Sequence, residues 1–295
     1  MWAESSGGDG GSAVLRRSFL HTALPLPLAS GRWAGHEGVE NEAGLLCQTV
    51  VDYPYGNAPG LEGIQSRTDQ EELDMGVCYI FGSGAYGGEW PAAFGEDDLI
   101  IAADGGYTAL EAHGQQPHLL VGDFDSLGYV PPHPRILRHP VEKDDTDTAL
   151  ALEQGWERGY RVFHLYGCLG GRLDHTLGNL QLLTNLARRG GLGVLVGAEM
   201  TAATLCHGQL TFPAGCRGSL SVFAAGGVAE GVTIRGLQYP LEGGRLTGGE
   251  TLGVSNAFLG EQAAVSVDRG CLLVVWASQS VLPVWSGLDS HQAIP

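Results

Sequence analysis

From residue 76 onward the chain is punctuated by short apolar runs that stop at glycine or aspartate, and this feature constrains the fold most. GVCYIFGSG (76–84), DDLIIAADGG (97–106), HLLVGDFDS (118–126), RVFHLYGCLGG (161–171) and GVLVG (193–197) all have this form. Apolar runs of about four to eight residues without polar alternation belong to strands buried on both faces, as in a parallel sheet. Helical patterns lie between them. TDTALALEQGWERG (146–159) closes at a glycine. DHTLGNLQLLTNLARRGG (174–191) sets Leu177, Leu180, Leu183 and Leu186 at helical spacing, with Asp174 as the expected N-cap and two arginines before the closing glycines. Strands alternating with helices predict an α/β fold with a doubly wound, mostly parallel sheet.

The pattern changes near residue 206. GQLTFP, SLSVFAAG, GVTIRG, AAVSVDR and CLLVVWAS are short, alternating and separated by glycine-rich turns. They predict a second, smaller all-β domain, sandwich-like, over 206–295, after an α/β domain over 75–205. Residues 1–74 are rich in Gly, Ser and acidic side chains and lack periodicity. They are expected to be a disordered or dispensable extension, with Met75 a sensible start for the first strand. An ordered addition remains open. So does an export signal, since LRRSFLHTALPLPLAS (15–30) sets paired arginines before an apolar stretch, although Pro25 and Pro27 interrupt it.

Composition narrows the function. The chain carries 16 basic and 33 acidic side chains, a formal charge of −17. That disfavours a nucleic-acid partner, which needs a basic face. It leaves a nucleotide open, because a metal ion bridges carboxylates to phosphates. No apolar run reaches the roughly 18 residues of a membrane-spanning helix, so no membrane partner is expected. The six cysteines form no C-x-x-C pair and show no zinc spacing. They read as buried or free thiols of a reducing, cytoplasmic protein.

Ligands of an open parallel sheet bind at the carboxyl ends of its strands, and here that edge is acidic. Asp104 ends one apolar run, Asp123 and Asp125 end the next, Lys143 to Asp147 precede a helix, and Asp174 opens another. Each alone reads as an ordinary cap or turn former. A cap needs one carboxylate, however, and D-x-D supplies two close like charges. The simplest neutraliser is Mg²⁺, which takes one or two carboxylates together with phosphate oxygens and so implies a phosphorylated substrate. GSGAYGG and LGGRLDH place glycines where backbone N–H groups can meet phosphate. Arg172 is placed to add a bidentate contact. Fifteen of the sixteen basic residues are arginine, and the single lysine, Lys143, falls within the second acidic cluster.

ADGG (103–106), GDFDS (122–126), EKDDTDT (142–148) and GGRLDHTLGN (170–179), in this order, resemble the thiamine pyrophosphokinase family. GLQYPL (236–241) and GVSN (253–256) extend the resemblance, which spans roughly Gly76 to Ser278. It implies transfer of a pyrophosphoryl group from ATP to the thiamine hydroxyl with Mg²⁺, by a homodimer that binds thiamine near its interface. It implies that Asp123, Asp125 and Asp147, with Asp144, hold the metal. Arg172 and Asp174 match positions facing the nucleotide and the reacting centre, and Lys143 joins them in the catalytic set. Asp104, Gly105, Gly106, Ser126, Gly170 and Gly171 fall on the nucleotide side. Tyr239, Ser255 and Asn256 fall on the thiamine side, where an aromatic face suits the cationic thiazolium ring. His175 and Cys168 read as structural. Two other functions share these aspartates: a pyrophosphokinase or kinase acting on another alcohol, and a non-catalytic module that binds a nucleotide or thiamine phosphate.

Overall fold

The computed structural model describes residues 76–87, 90–91, 93–138 and 145–287. The extension over 1–74, Lys143 and Asp144 lie outside the described residues.

The first strands fall where the apolar runs place them: β1 (Cys78–Phe81), β2 (Leu99–Ala103), β3 (Leu119–Gly122), the short edge strand β4 (Ile136–Arg138), β5 (Val162–Tyr166) and β6 (Leu192–Val196). All pair in parallel, in the order β6-β5-β1-β2-β3-β4. Three helices join them: α1 (Gly106–Ala112), α2 (Asp147–Glu157) and α3 (Leu173–Arg188). Successive side chains of a strand point to opposite faces, and both faces are covered. Ile80, Ile101, Val121, Leu165 and Leu195 pack with Ala151 and Leu152 of α2 and Leu183 and Leu186 of α3. Phe81, Ile100, Ala102 and Leu120 pack with Tyr107 and Leu110 of α1. Helices on both faces make the sheet doubly wound. Each large apolar side chain so buried stabilises the fold by about 1.5–3 kcal/mol.

The helix ends have distinct causes. Thr146 caps α2, its Oγ1 accepting from the Ala149 N–H at 3.2 Å. The expected N-cap of α3, Asp174, is corrected by the structure. Arg172 occupies the cap position without a side-chain cap hydrogen bond, and Asp174 sits in the first turn. The Asp174 carboxylate is engaged by the Arg172 guanidinium and the His175 N–H, so it cannot close the cap from outside the helix. Of the four spaced leucines, Leu183 and Leu186 are buried and Leu177 is exposed.

The strand β7 (Met200–Phe212) pairs antiparallel with β6 and carries the chain across residue 206. The remaining strands are β8 (Ser219–Ala224), β9 (Val228–Arg235), β10 (Leu241–Thr247), β11 (Asn256–Ala257), β12 (Ala263–Ala277) and β13 (Val284–Ser286). All their pairings are antiparallel, as glycine-rich hairpin turns require. The long strand β12 shares its second edge: Ala264 to Arg269 pair with β9, and Leu272 to Trp276 pair with β8. The sheet therefore forks around a core that includes Phe212, Leu220, Phe258 and Trp276. Trp276 and Phe258 each meet Phe212 at ring-centroid distances of 5.2 Å.

One expectation about the cysteines is overturned. Cys206 and Cys271 face each other in register on β7 and β12 and form a disulfide. At a sequence separation of 65, only the strand pairing brings them together. Cys78, Cys168 and Cys216 are free and buried.

Candidate active site

The site grows from the ends of three neighbouring strands. Asp104 follows β2 and takes a left-handed backbone (φ 49°). Asp123 and Asp125 follow β3 and flank Phe124, itself left-handed (φ 63°). The Asp125 N–H donates to Asp123 Oδ1 at 3.1 Å, so the D-x-D segment turns back on itself. Phe124 is 2% exposed and anchors this turn in the core beneath it. The close packing has a steric reason. Gly122 has φ 149°, and a Cβ there would stand 3.2 Å from the Asp104 backbone. The Asp104 N–H donates to the Val121 carbonyl at 2.8 Å, which stitches the two strand ends together.

One oxygen from each of Asp104, Asp123 and Asp125 lies within 4.8 Å of the others. Asp104 is only 9% exposed. Its Oδ2 accepts from Ser126 Oγ at 2.6 Å and from Ser83 Oγ at 3.1 Å. Its Oδ1 is buried without a hydrogen-bond partner among the described residues. A buried carboxylate oxygen left bare is costly. Three converging carboxylates with a bare oxygen among them are the donor set that a hard divalent cation takes. The residues present therefore fit Mg²⁺.

The sequence placed Asp104 with the nucleotide, and the structure brings it into the carboxylate group with Asp123 and Asp125. Asp147 is the first residue of α2. Gly106 opens α1 where a Cβ would collide with the Phe81 carbonyl oxygen, so only glycine lets this helix start against β1. The Gly105 N–H donates to Ser83 Oγ at 2.9 Å, and the Gly170 N–H donates to Thr176 Oγ1 at 3.1 Å. These two amides reach a phosphate only if their hydroxyl partners release them. Arg172 and Asp174 are paired with each other at 2.5 Å and are 71% and 64% exposed. Their hydrogen bond lowers the Asp174 pKa and raises that of Arg172.

Three further side chains contribute, all inside motif segments in which sequence alone assigns them no role of their own. Ser83 lies within GSGAYGG, which points to its glycines and not to its hydroxyl, and it meets Asp104 because β1 and β2 are neighbours. Asn179 is buried, and its Nδ2 donates to the Cys168 carbonyl at 2.7 Å, fixing the loop that carries Gly170 and Gly171. Thr176 holds Gly170 in that loop. Cys168 stays inert, because burial pushes its thiol up to about 12.

In the β region, Tyr239 is 61% exposed and Asn256 only 4%. Both ends of the Asn256 amide bind the Tyr239 backbone. Ser255 adopts a left-handed backbone (φ 61°), and its N–H donates to Ser221 Oγ at 3.1 Å.

Fold and site define an α/β enzyme with a carboxylate-rich parallel-sheet edge, continued by an antiparallel β domain. Residues 91–194 match the family model described as thiamin pyrophosphokinase, catalytic domain, and residues 212–272 match thiamin pyrophosphokinase, vitamin B1 binding domain. The chain belongs to the thiamin pyrophosphokinase family. It is 28% identical over 194 residues to thiamine pyrophosphokinase of Bacillus subtilis (strain 168), covering 61% of this chain and 87% of that protein. The crystal structure of thiamin pyrophosphokinase from Geobacillus thermodenitrificans is similar with a TM-score of 0.60 at 27% identity, covering 70% of this chain and 99% of that one. The crystal structure of the Bacillus subtilis enzyme shares the fold with a TM-score of 0.61 at 24% identity, covering 68% and 99%.

Proposed function

We infer that this protein is a thiamine diphosphokinase, which transfers the pyrophosphoryl group of ATP to the hydroxyl of thiamine and yields thiamine diphosphate and AMP. One observation carries the reading. A single chain unites the family's catalytic region, with the carboxylate group of Asp104, Asp123 and Asp125, and its vitamin-binding region, with Tyr239 and Asn256.

The thiamine hydroxyl oxygen attacks the β-phosphorus of ATP, the bond to the α,β-bridging oxygen breaks, and AMP leaves with that oxygen. Such transfer depends on alignment and charge neutralisation more than on covalent catalysis. Mg²⁺ supplies neutralisation of the phosphate oxygens when bound. Asp123, Asp125 and Asp147, with Asp144, would hold it, and the bare Oδ1 of Asp104 supports a place for that residue beside them. Arg172 would exchange its exposed partner Asp174 for a phosphate. Lys143 would contribute a compact positive charge beside the leaving phosphate. Gly105, Gly106, Ser126, Gly170 and Gly171 line the nucleotide side, and Tyr239, Ser255 and Asn256 the thiamine side.

On this reading residues 75–205 form the catalytic domain, 206–295 form the thiamine-binding and dimerisation domain, and 1–74 are dispensable. A homodimer accords with the exposed apolar side chains Tyr239, Leu252 and Leu259 in the β region. The enzyme acts on thiamine and ATP, with no nucleic-acid or membrane partner, in the cytoplasm. The Cys206–Cys271 disulfide runs against that compartment, since reducing cytosol rarely retains one.

The test is to incubate the protein with ATP, Mg²⁺ and thiamine and to separate the nucleotides formed. AMP together with thiamine diphosphate supports the reading. ADP, or AMP formed only with another alcohol, refutes it.

A further inference from the structure

We propose that Ser83 is a positioning residue for the metal-facing carboxylates: its hydroxyl turns the Asp104 side chain so that Oδ1 faces the cation and Oδ2 faces away. This inference rests on the Mg²⁺ reading above.

Asp104 ends β2, the strand between β1 and β3. Ser83 follows β1 and Ser126 follows β3, so hydroxyls from both neighbouring strands reach the same carboxylate oxygen, Oδ2, at 3.1 and 2.6 Å. Oδ1 is left buried and unpartnered among the described residues, in a residue only 9% exposed, and one oxygen of the same carboxylate lies within 4.8 Å of oxygens of Asp123 and Asp125. The direction of the Ser83 proton is set as well. The Gly105 N–H donates to Ser83 Oγ at 2.9 Å, which fills an acceptor position and leaves the single hydroxyl proton for Asp104. Ser83 thus links three fixed points: the end of β1, the backbone at the start of α1, and the carboxylate. Partners of this kind orient metal ligands, and their loss costs about 10–100-fold in metal affinity.

The experiment titrates Mn²⁺, a hard oxygen-seeking cation that reports its free concentration by electron paramagnetic resonance, into the full chain without nucleotide. The wild type, Ser83→Ala, Ser83→Thr, Asp104→Asn, Asp125→Asn and the double variant Ser83→Ala/Asp104→Asn are compared. Ser83→Ala should bind Mn²⁺ about tenfold more weakly. Ser83→Thr keeps the hydroxyl at an exposed position and should stay within about twofold of wild type. The double variant should bind no more weakly than Asp104→Asn alone, because Ser83 acts through that carboxylate. Equal melting temperatures establish that the variants are folded. If Ser83→Ala does not fold, Ser83→Cys, of the same shape with a weak donor, takes its place with the same expectation.

Wild-type affinity in Ser83→Ala, with Mn²⁺ binding lost in Asp125→Asn, would overturn this inference and leave the metal reading standing. Additive losses in the double variant would overturn it too, since the hydroxyl would then act elsewhere. If Asp125→Asn binds Mn²⁺ like the wild type, the metal reading itself fails and this inference falls with it.

Discussion

Asn256 grips Tyr239 by its backbone. The Asn256 Nδ2 donates to the Tyr239 carbonyl at 2.7 Å, and the Tyr239 N–H donates to Asn256 Oδ1 at 2.9 Å. Asn256 is buried at the start of β11, so the two bonds hold an exposed aromatic ring on a fixed stem. On the proposed function, Asn256 would act on thiamine through Tyr239.

Tyr239→Ala should raise the KM for thiamine about tenfold, the scale of one cation–π contact, and leave the KM for ATP little changed. Asn256→Ala should give the same KM pattern. It should also lower the melting temperature, since it strips three side-chain hydrogen bonds, two with Tyr239 and one from the Ala257 N–H. Steady-state kinetics with each substrate varied in turn decides the matter. Equal rises in both KM values would contradict this division of labour.

The D-x-D turn makes a second prediction. Asp125 is exposed. Asp125→Asn should fold like the wild type yet lose at least about a hundredfold in kcat, the scale of removing one preorganised charge-stabilising group. Phe124→Ala should do the reverse of leaving stability intact, costing about 3–5 kcal/mol by emptying a core position. Chemical denaturation and AMP formation measured on both variants separate the two roles. Near-normal turnover in folded Asp125→Asn would remove the metal assignment.

Most of the sheet could be read because a parallel strand buried on both faces has no polar residues to interrupt it. β1, β2, β3 and β5 each sit inside one of the apolar runs, and β6 begins one residue before GVLVG. What escaped was short or non-local. The helix α1 has seven residues and no capping side chain, so ADGGYTALEA carried no start signal. The edge strand β4 has three residues, none of them buried. Ser83 and Asp104 are 21 residues apart, and Cys206 and Cys271 are separated by 65; strand order and register join each pair, and neither is written in local sequence. The family resemblance of ADGG puts Asp104 on the nucleotide side. Its place among the carboxylates follows from the tight stitching of β2 to β3 at Gly122.

Lys143 is the single lysine in a chain that otherwise uses arginine. An ammonium is a compact point charge, whereas a guanidinium is wider and demands a fork geometry. Lys143→Arg keeps the charge and should still lower kcat/KM about a hundredfold, with an unchanged melting temperature. A loss under about threefold, less than 1 kcal/mol of transition-state stabilisation, would make it a bystander charge.

His164 sets a pH limit on stability. It lies on β5, with its ring 5.3 Å from that of Tyr79 in an edge contact. Burial disfavours the imidazolium and lowers its pKa to about 4, with nearby Asp98 opposing part of the shift. The unfolded chain protonates this histidine near its ordinary value of about 6.5. Between those two values the unfolded state holds more protons than the native state, so stability rises with pH across that window. The contribution is present in full above about pH 6.5 and is lost as the pH falls towards about 4, amounting to about 3 kcal/mol. His164→Leu removes the titration but keeps an apolar filling. Urea unfolding of both proteins at intervals from about pH 4 to 8 should show their stability difference varying steeply below about pH 6.5 and levelling off above it. A difference that is flat across the whole range would mean that His164 is charged, or solvated, in the folded protein.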